Sequence, residues 1–303
     1  RAAAAVKAGF LAAAGAAGST ARVQVFSHGD DGVLPAFAAA TESGAALIVG
    51  PLTRDDVKTV LALAPARPRV LVLNQPEDGS PLPDDVYALT LSVDSDAMLL
   101  AGQVRADGAR VVASVVSDAP LQRRFKAAFA VTWERAGGEP LHDYRFDPNP
   151  EVLRVLRHEL AARPADATLL AVNASDAPLT KSFLPPGPVY ASSQIADGLP
   201  PPMLRDLEGV RYVEIPWLAD PSSPALARLP HADLGDPVLE RLYALGLDAF
   251  LIAQLLSSPI APDRVELDGA TGHLSLTPAR VFAREGTLMV IRDGQPMVYI
   301  PPQ

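Results

Sequence analysis

The sequence of 303 residues contains no cysteine. This absence excludes disulfide bonds and cysteine-based metal sites, and it is compatible with a cytoplasmic or a periplasmic location. No apolar run approaches the ~20 residues that are needed to cross a bilayer. The net charge is −9, and the sequence shows no basic stripe of the kind that binds nucleic acid. We therefore expect no nucleic-acid partner.

Recognisable catalytic signatures are also missing. The sequence has no P-loop, no G-x-S-x-G nucleophile elbow and no H-E-x-x-H zinc helix. No Gly-x-Gly-x-x-Gly fingerprint follows a strand, so we expect no dinucleotide cofactor. His28, Asp30 and Asp31 lie close together in the loop 27–32, where a metal site is one interpretation and an Asp–Gly turn is the favoured one. We therefore predict no catalytic residue, no metal and no cofactor, and the protein is not expected to be an enzyme.

The stretch 45–58, AALIVGPLTRDDVK, reads as a strand, a turn and a helix. Apolar residues 45–49 form the strand, Gly50-Pro51 ends it, and Thr53 caps a helix over 53–63 whose first turn is acidic. The same pattern returns at 69–78, where a strand ends in Asn74 and Gln75. In open α/β sheets, ligands bind at such strand ends.

Alternating helices and strands continue on both sides of this stretch. We predict a helix over 2–16, a strand over 23–26 and a second run of alternation over 94–214. This order indicates parallel sheets with helices on both faces, in two Rossmann-like lobes. A long helix is predicted over 236–256, because Asp236 caps it and Pro237 occupies its first position. Asp-Gly and Gly turn signals after 261 predict an antiparallel hairpin region.

Polar residues lie where the predicted strands end. Their hydroxyl and amide groups suit a carboxylate or another small polar ligand, although each residue taken singly is more often a helix cap or a turn residue. The candidates for ligand binding are Thr53, Asn74 and Gln75 in the first lobe and Ser117, Asp118, Ser192 and Ser193 in the second, accompanied by Asn173 and Ser175.

Four stretches resemble the LppC/LpoA lipoprotein family of penicillin-binding protein activators. They are LIVGPLTRDDVK at 47–58, VLVLNQPED at 70–78, LYALGLDAF at 242–250 and LDGATGHLSL at 267–276. They occur in the order found in the family. The segment Y-A-L-G-[IL]-D-A followed by D-G-x-T-G is the most specific part of the resemblance.

The resemblance implies a type 1 periplasmic binding protein fold whose two lobes are joined by three crossovers. On that basis the first lobe is expected to comprise 1–93 plus 215–260. The second lobe is expected to comprise 94–214 plus 261–303, including the antiparallel hairpin region.

The resemblance also implies a function. The chain is expected to be a non-catalytic outer-membrane lipoprotein domain that activates a class A penicillin-binding protein and so regulates peptidoglycan synthesis. It would reside in the periplasm, and an N-terminal lipid carried by a segment upstream of Arg1 would tether the full-length protein to the outer membrane.

The alternative is a periplasmic solute-binding protein for an amino acid or a small cell-wall fragment, bound in the cleft between the lobes. Amino-acid receptors of this fold hold the ligand carboxylate with hydroxyl groups of the first lobe and its ammonium with an acidic residue of the second. By that resemblance, Thr53 would serve the carboxylate and Asp118 the ammonium.

Overall fold

The computed structural model describes residues 1–63, 67–76, 80–260 and 262–300. Contacts between residues divide the chain into two units. Unit 1 comprises Arg1–Leu91 and Pro221–Arg284, and unit 2 comprises Ser92–Asp220 and Glu285–Gln303. The lobe boundary predicted at 261, and residues 77 and 78 of the second family-like stretch, lie outside the described residues.

Helices and strands alternate along most of the chain, which confirms the predicted α/β class. In chain order the helices are α1 (Ala2–Ala16), α2 (Val33–Glu42), α3 (Arg54–Leu61), α4 (Val93–Ala106), α5 (Pro120–Arg135), α6 (Pro150–Ala162), α7 (Ala177–Phe183), α8 (Pro201–Asp206), α9 (Pro216–Ala219) and α10 (Pro237–Leu256). The strands are β1 (Leu47–Val49), β2 (Arg69–Val72), β3 (Val86–Ala88), β4 (Val112–Val116), β5 (His142–Arg145), β6 (Ala167–Ala171), β7 (Val189–Ala191), β8 (Val210–Glu214), β9 (Glu266–Asp268), β10 (His273–Leu276), β11 (Phe282–Glu285), β12 (Thr287–Arg292) and β13 (Gln295–Val298). None of the described helices is both long and apolar enough to span a membrane.

Unit 1 is built on a parallel sheet in the order β1-β2-β3. Its strands are apolar on both faces because helices cover both faces. Val70 and Val72 pack in a core cluster with residues of α2 and α3. Leu71 belongs to a second cluster, which includes residues of α1 and α10.

Two glycines lie where α1 and α10 pack against each other. A Cβ atom at Gly9 would lie 2.0 Å from the carbonyl oxygen of Tyr243, and one at Gly246 would lie 2.1 Å from that of Val6. Real Cβ contacts do not come this close, so the approach of the two backbones requires glycine on both helices. Residue 246 belongs to the family-like stretch 242–250, and this packing is one physical reason for its composition.

The strand predicted over 23–26 does not form. Residues 21–30 are exposed and lie in no helix or strand, and the side chains of Val25 and Phe26 are 50% and 39% exposed. Alternating apolar residues favour a strand, but a strand also needs a neighbour with which to pair. Among the described residues, none pairs with this segment.

Unit 2 is built on a sheet of seven strands in the order β13-β12-β8-β7-β6-β4-β5. The strands β8, β7, β6, β4 and β5 are parallel, whereas β12 is antiparallel to both β8 and β13. Phe125 and Trp133 of α5 are buried in one core cluster of this unit. Leu153 and Leu160 of α6 are buried in the other.

The C-terminal region forms antiparallel strands, but it is divided between the units. Strands β9 and β10 pair in unit 1, where Leu274 and Phe282 share a core cluster with Leu71 and Tyr87. Strands β12 and β13 extend the sheet of unit 2. The unit boundary therefore falls at residue 284, whereas the predicted lobe 2 began at 261, because the apolar side chains before residue 284 are buried in unit 1.

The second boundary lies later in the chain than predicted. The expected crossover was at 214, and the observed one lies at Asp220. Helix α9 accounts for the difference, because it contacts β12 and β13 of unit 2.

Candidate functional site

Thr53 is the N-cap of α3, as predicted. Its hydroxyl accepts a hydrogen bond from the backbone N–H of Asp56 at 3.3 Å and donates one to the Asp56 carboxylate at 2.5 Å. Asp56 thereby supplies the acidic group that favours the amino end of a helix. The hydrogen bonds of Thr53 are those of a helix cap.

Asn74 links the loop that follows β1 to the loop that follows β2. Its amide nitrogen donates to the carbonyl oxygen of Leu52 at 3.1 Å, and its amide oxygen accepts from the N–H of Gln75 at 3.0 Å. The loop after β1 and the loop after β2 are thus tied together. In unit 1 the structure therefore brings the two predicted strand ends into contact through loop hydrogen bonds.

The loop 27–32 adopts the predicted Asp–Gly turn. The N–H of Gly29 donates to the Asp31 carboxylate at 3.0 Å. The Nε2 atom of His28 lies 3.5 Å from the carboxylate of Asp56. Across the described ranges, no group of three His, Cys, Asp or Glu side chains is placed to hold a metal ion.

A buried polar group lies at the carboxyl ends of the parallel strands of unit 2. Ser117 follows β4, is 7% exposed and donates its N–H to Ala171 at 2.9 Å. Gln122, in the first turn of α5, is fully buried. The hydroxyl of Ser192, after β7, donates to the Gln122 amide oxygen at 3.4 Å. We refer to Ser117, Gln122, Ser192 and the neighbouring buried Ser193 as the polar edge cluster.

Two atoms of the polar edge cluster lack hydrogen-bond partners within the described part of the chain. They are the hydroxyl oxygen of Ser117 and the amide nitrogen of Gln122. Burying a polar group without a partner costs about 1–3 kcal/mol. Such groups are stabilised by any acceptor atom that reaches them, whether it belongs to a water molecule or to a ligand.

The amino end of α5 adds to the donor character of this edge. Its N-cap is Ala119, and no side chain caps the helix. The first backbone N–H groups of a helix have no partner inside the helix, and the helix dipole attracts negative charge. Together with Ser117 and Gln122, this end of α5 favours an oxygen acceptor, and a carboxylate most of all.

Asp118 lies outside the polar edge cluster. Its carboxylate forms an ion pair with Arg145, and both side chains are exposed. The strand-end residues Asn173 and Ser175 are also exposed. Of the residues predicted in the second lobe, the structure therefore brings Ser117, Ser192 and Ser193 to one buried edge.

Gln122 was missed by the sequence reasoning. It lies inside a predicted helix, whereas the predicted candidates are loop residues at the ends of strands. Pro120 occupies the first position of α5, which places Gln122 at the third position, still within the first turn. That spacing is the signal that could have identified it.

The two most specific family-like stretches meet at Asp248. Its carboxylate is fully buried and accepts hydrogen bonds from the N–H groups of Ala270 and Thr271, both at 2.7 Å, and from the Thr271 hydroxyl at 2.6 Å. A Cβ atom at Gly269 would lie 2.6 Å from the carboxylate oxygens. Burial raises the pKa of Asp248 to about 6, and the hydrogen bonds from Thr271 and Ala270 oppose that rise. These stretches therefore form a structural contact between α10 and the turn before β10.

Comparison with known proteins finds a matching family model and several named relatives. The model of a family described as "LppC putative lipoprotein" matches residues 1–294. The chain is 25% identical over 326 aligned positions to the "Penicillin-binding protein activator LpoA" of Yersinia pseudotuberculosis, with 91% of this chain and 49% of the relative covered. The protein of the same name from Escherichia coli strain K12 is 27% identical, with 84% and 44% covered. The chain spans about half the length of these curated relatives.

Solved structures with different descriptions share this fold. The "LpoA (YraM) C-domain from Haemophilus influenzae, a regulator of PBP1A" has a TM-score of 0.82 and 25% identity, with 98% of this chain and 95% of that chain covered. A "putative branched-chain amino acid ABC transporter from Chromobacterium violaceum" has a TM-score of 0.81 and 36% identity, with 95% and 94% covered.

Proposed function

This chain belongs to the LppC lipoprotein family, and we propose that it is a non-catalytic domain through which a penicillin-binding protein activator acts on a class A penicillin-binding protein. The observation that carries the proposal is the family match over residues 1–294, together with relatives that are named penicillin-binding protein activators. The family membership predicted from four stretches is confirmed. The activity of the whole relatives is proposed here for a chain that spans about half their length.

Two structural observations support a regulatory domain. The residues of the most specific family-like stretches, Gly246 and Asp248, serve helix packing and a buried hydrogen-bond network. Both roles stabilise the folded conformation of unit 1, and a docking domain needs a stable folded surface. The same family membership supports a periplasmic location and a lipid tether to the outer membrane in the full-length protein.

The test is reconstitution with a class A penicillin-binding protein of the same organism. The full chain is immobilised, binding of the synthase is measured, and the rate of glycan polymerisation is followed with and without the chain. We expect binding and a faster rate. An amino-acid receptor of the same fold is the control and should do neither. A synthase that ignores the chain in both measurements would contradict the proposal.

A second function is supported by the polar edge cluster. The unpartnered donors of Ser117 and Gln122, beside the uncapped end of α5, favour a ligand that carries a carboxylate. Amino acids and small cell-wall peptides have this group. The likeness at 36% identity to a structure described as an amino acid transporter protein favours the same ligand class. We propose that unit 2 contributes a carboxylate subsite at this cluster.

Thermal unfolding with amino acids and muropeptides tests the second function. A ligand at a hundred times its Kd stabilises the folded state by about 2.7 kcal/mol. The substitution Gln122→Leu should abolish the shift, because it removes the buried donor. Asp118→Asn is the matched control and should retain the shift, because Asp118 is exposed and outside the cluster. The absence of a shift with every compound would contradict this function and leave the synthase test unaffected.

A further inference from the structure

A cavity of about 250 Å³ lies in unit 2 at the amino ends of two strands, β7 and β8. It is lined by the last turn of α7, the loop 184–187, the start of β7 and residues 208–209, which precede β8. The polar edge cluster lies at the opposite ends of the strands. Because ligands of open α/β sheets bind at the carboxyl ends of the strands, this cavity is separate from the usual ligand site of such a sheet.

The backbone around this cavity is stiff. Pro185 and Pro186 have fixed φ angles, and they have carbonyl oxygens but no N–H groups. Gly187 and Gly209 have φ angles of 150° and 80°, which residues with side chains rarely adopt. A Cβ atom at Gly209 would meet no atom within 4 Å, so the space beside it is open. The cavity is therefore preorganised, which lowers the cost of binding a ligand.

Two side chains of opposite charge line the cavity. They are Lys181, in the last turn of α7, and Glu208. Glu208 accepts a hydrogen bond from the backbone N–H of Asp293 at 2.8 Å through one of its two carboxylate oxygens. Lys181 is half-buried, and within the described ranges it forms no ion pair with Glu208 or with any other carboxylate. Each of the two side chains therefore retains a charge that a ligand can neutralise.

The two charges select a ligand that carries both signs. A ligand ammonium would pair with Glu208 and a ligand carboxylate with Lys181, in charge-assisted hydrogen bonds. Leu184 and Val189 give the same cavity an apolar surface, which suits an aliphatic side chain. Ligand pockets usually measure about 300–1,000 Å³. A cavity of about 250 Å³ therefore fits a single amino acid or a dipeptide and is too small to enclose a larger ligand.

We propose that this cavity is a binding site for zwitterionic amino acids or dipeptides. Glu208 holds the ammonium of the ligand, Lys181 holds its carboxylate, and the apolar surface contacts its side chain. The two charged residues come from different segments of unit 2, so loss of either one should weaken binding. The site is distinct from the carboxylate subsite proposed at the polar edge cluster, which contains no charged side chain.

The test follows the glycine signals of the full chain by NMR, with isotope-labelled glycine. Gly187 and Gly209 line the cavity, so their amide signals report on its occupation. The probes are leucine and glycyl-leucine, compared with N-acetyl-leucine, which lacks the ammonium, and leucinamide, which lacks the carboxylate. The variants Lys181→Met and Glu208→Gln remove one charge each. Lys126→Met is the matched control, because Lys126 lies outside the cavity.

We expect at least one of the two zwitterions to shift both glycine signals in a saturable manner. Each charge variant should weaken this binding by about tenfold or more, whereas Lys126→Met should not change it. The proposal is overturned if neither zwitterion shifts the signals, if N-acetyl-leucine and leucinamide bind as well as leucine, or if either charge variant keeps the full affinity.

The variant Gln122→Leu separates this site from the polar edge cluster, which is proposed to bind the same class of ligand. The shifts of Gly187 and Gly209 should persist in Gln122→Leu, because Gln122 does not line the cavity. Their loss in that variant would place the ligand at the polar edge cluster and show that the proposed site is wrong.

Discussion

The carboxylate of Asp248 accepts hydrogen bonds from both the backbone N–H and the hydroxyl of Thr271, at 2.7 and 2.6 Å. Both residues are fully buried. Because the carboxylate is buried away from solvent, the donors of the turn 269–271 take the place of its hydration. This network fixes α10 to the strands β9 and β10, which cover the sheet of unit 1.

The substitution Asp248→Asn should lower the free energy of unfolding at pH 7 by about 2–4 kcal/mol. The asparagine amide has only one acceptor oxygen. Its NH2 group would face an N–H group of the turn, so that two donors would oppose each other. Urea denaturation measures the loss. Thr271→Ser is the control, because it retains the N–H and the hydroxyl, and it should lose about 1 kcal/mol through the missing methyl group. Equal losses in the two variants would contradict the role given to the carboxylate.

The pH dependence of stability should reveal Asp248. Its pKa is raised from 3.8 to about 6 in the folded state, so between these values the folded protein binds more protons than the unfolded chain. Its contribution to the free energy of unfolding therefore falls as pH rises from about 4 to about 6, by up to about 3 kcal/mol, and is constant above that. Urea denaturation from pH 4 to pH 7, with Asp248→Asn subtracted, isolates the effect. A difference that rises with pH would show that the carboxylate has a lowered pKa.

The contact between α1 and α10 should not tolerate a methyl group. Gly9→Ala places a Cβ atom 2.0 Å from the backbone oxygen of Tyr243, so the helices must separate, and we expect a loss of about 1–3 kcal/mol. Gly15→Ala in the same helix meets no atom within 4 Å, and it should gain up to about 1 kcal/mol through helix propensity. Thermal and urea denaturation of both variants provide the measurement. A Gly9→Ala protein as stable as Gly15→Ala would show that the helices do not pack in this way.

Loss of the side-chain hydroxyl should change the free energy of unfolding differently at Ser114, in β4, and at Ser117, just after β4. Ser114 donates to Asp143 at 2.6 Å, so Ser114→Ala should cost about 1–3 kcal/mol. Ser117 has a hydroxyl without a partner in the described structure, so Ser117→Ala should leave the free energy of unfolding within about 0.5 kcal/mol or raise it. Urea denaturation without ligand compares the two. A large loss in Ser117→Ala would show that its hydroxyl is already bonded in solution.

Local signals predicted the regular elements well. Thr53 before two acidic residues identified the start of α3, and Asp236-Pro237 identified the start of α10. These features succeed because capping and proline geometry depend on neighbouring residues alone. The alternation of helices and strands then led to the α/β class without any knowledge of contacts.

The same local signals could not predict which strands pair when the strands are distant in the sequence. The turn at Asp268-Gly269 predicts a hairpin, but not which sheet or core the hairpin joins. The segment 23–26 has the composition of a strand, and its fate depends on a neighbour elsewhere in the chain. Gln122 was missed for a related reason, because its role depends on the end of β7 reaching the first turn of α5.

The division of the C-terminal strands between the units bears on the order in which the protein can fold during synthesis. Helix α1 needs α10 to cover Gly9, and the ribosome makes strands β4 to β8 of unit 2 between these two helices. Unit 2 in turn completes its sheet only with β12 and β13, near the end of the chain. Neither unit can complete its core before its C-terminal strands have been synthesised, so during synthesis the nascent chain holds two incomplete cores at the same time.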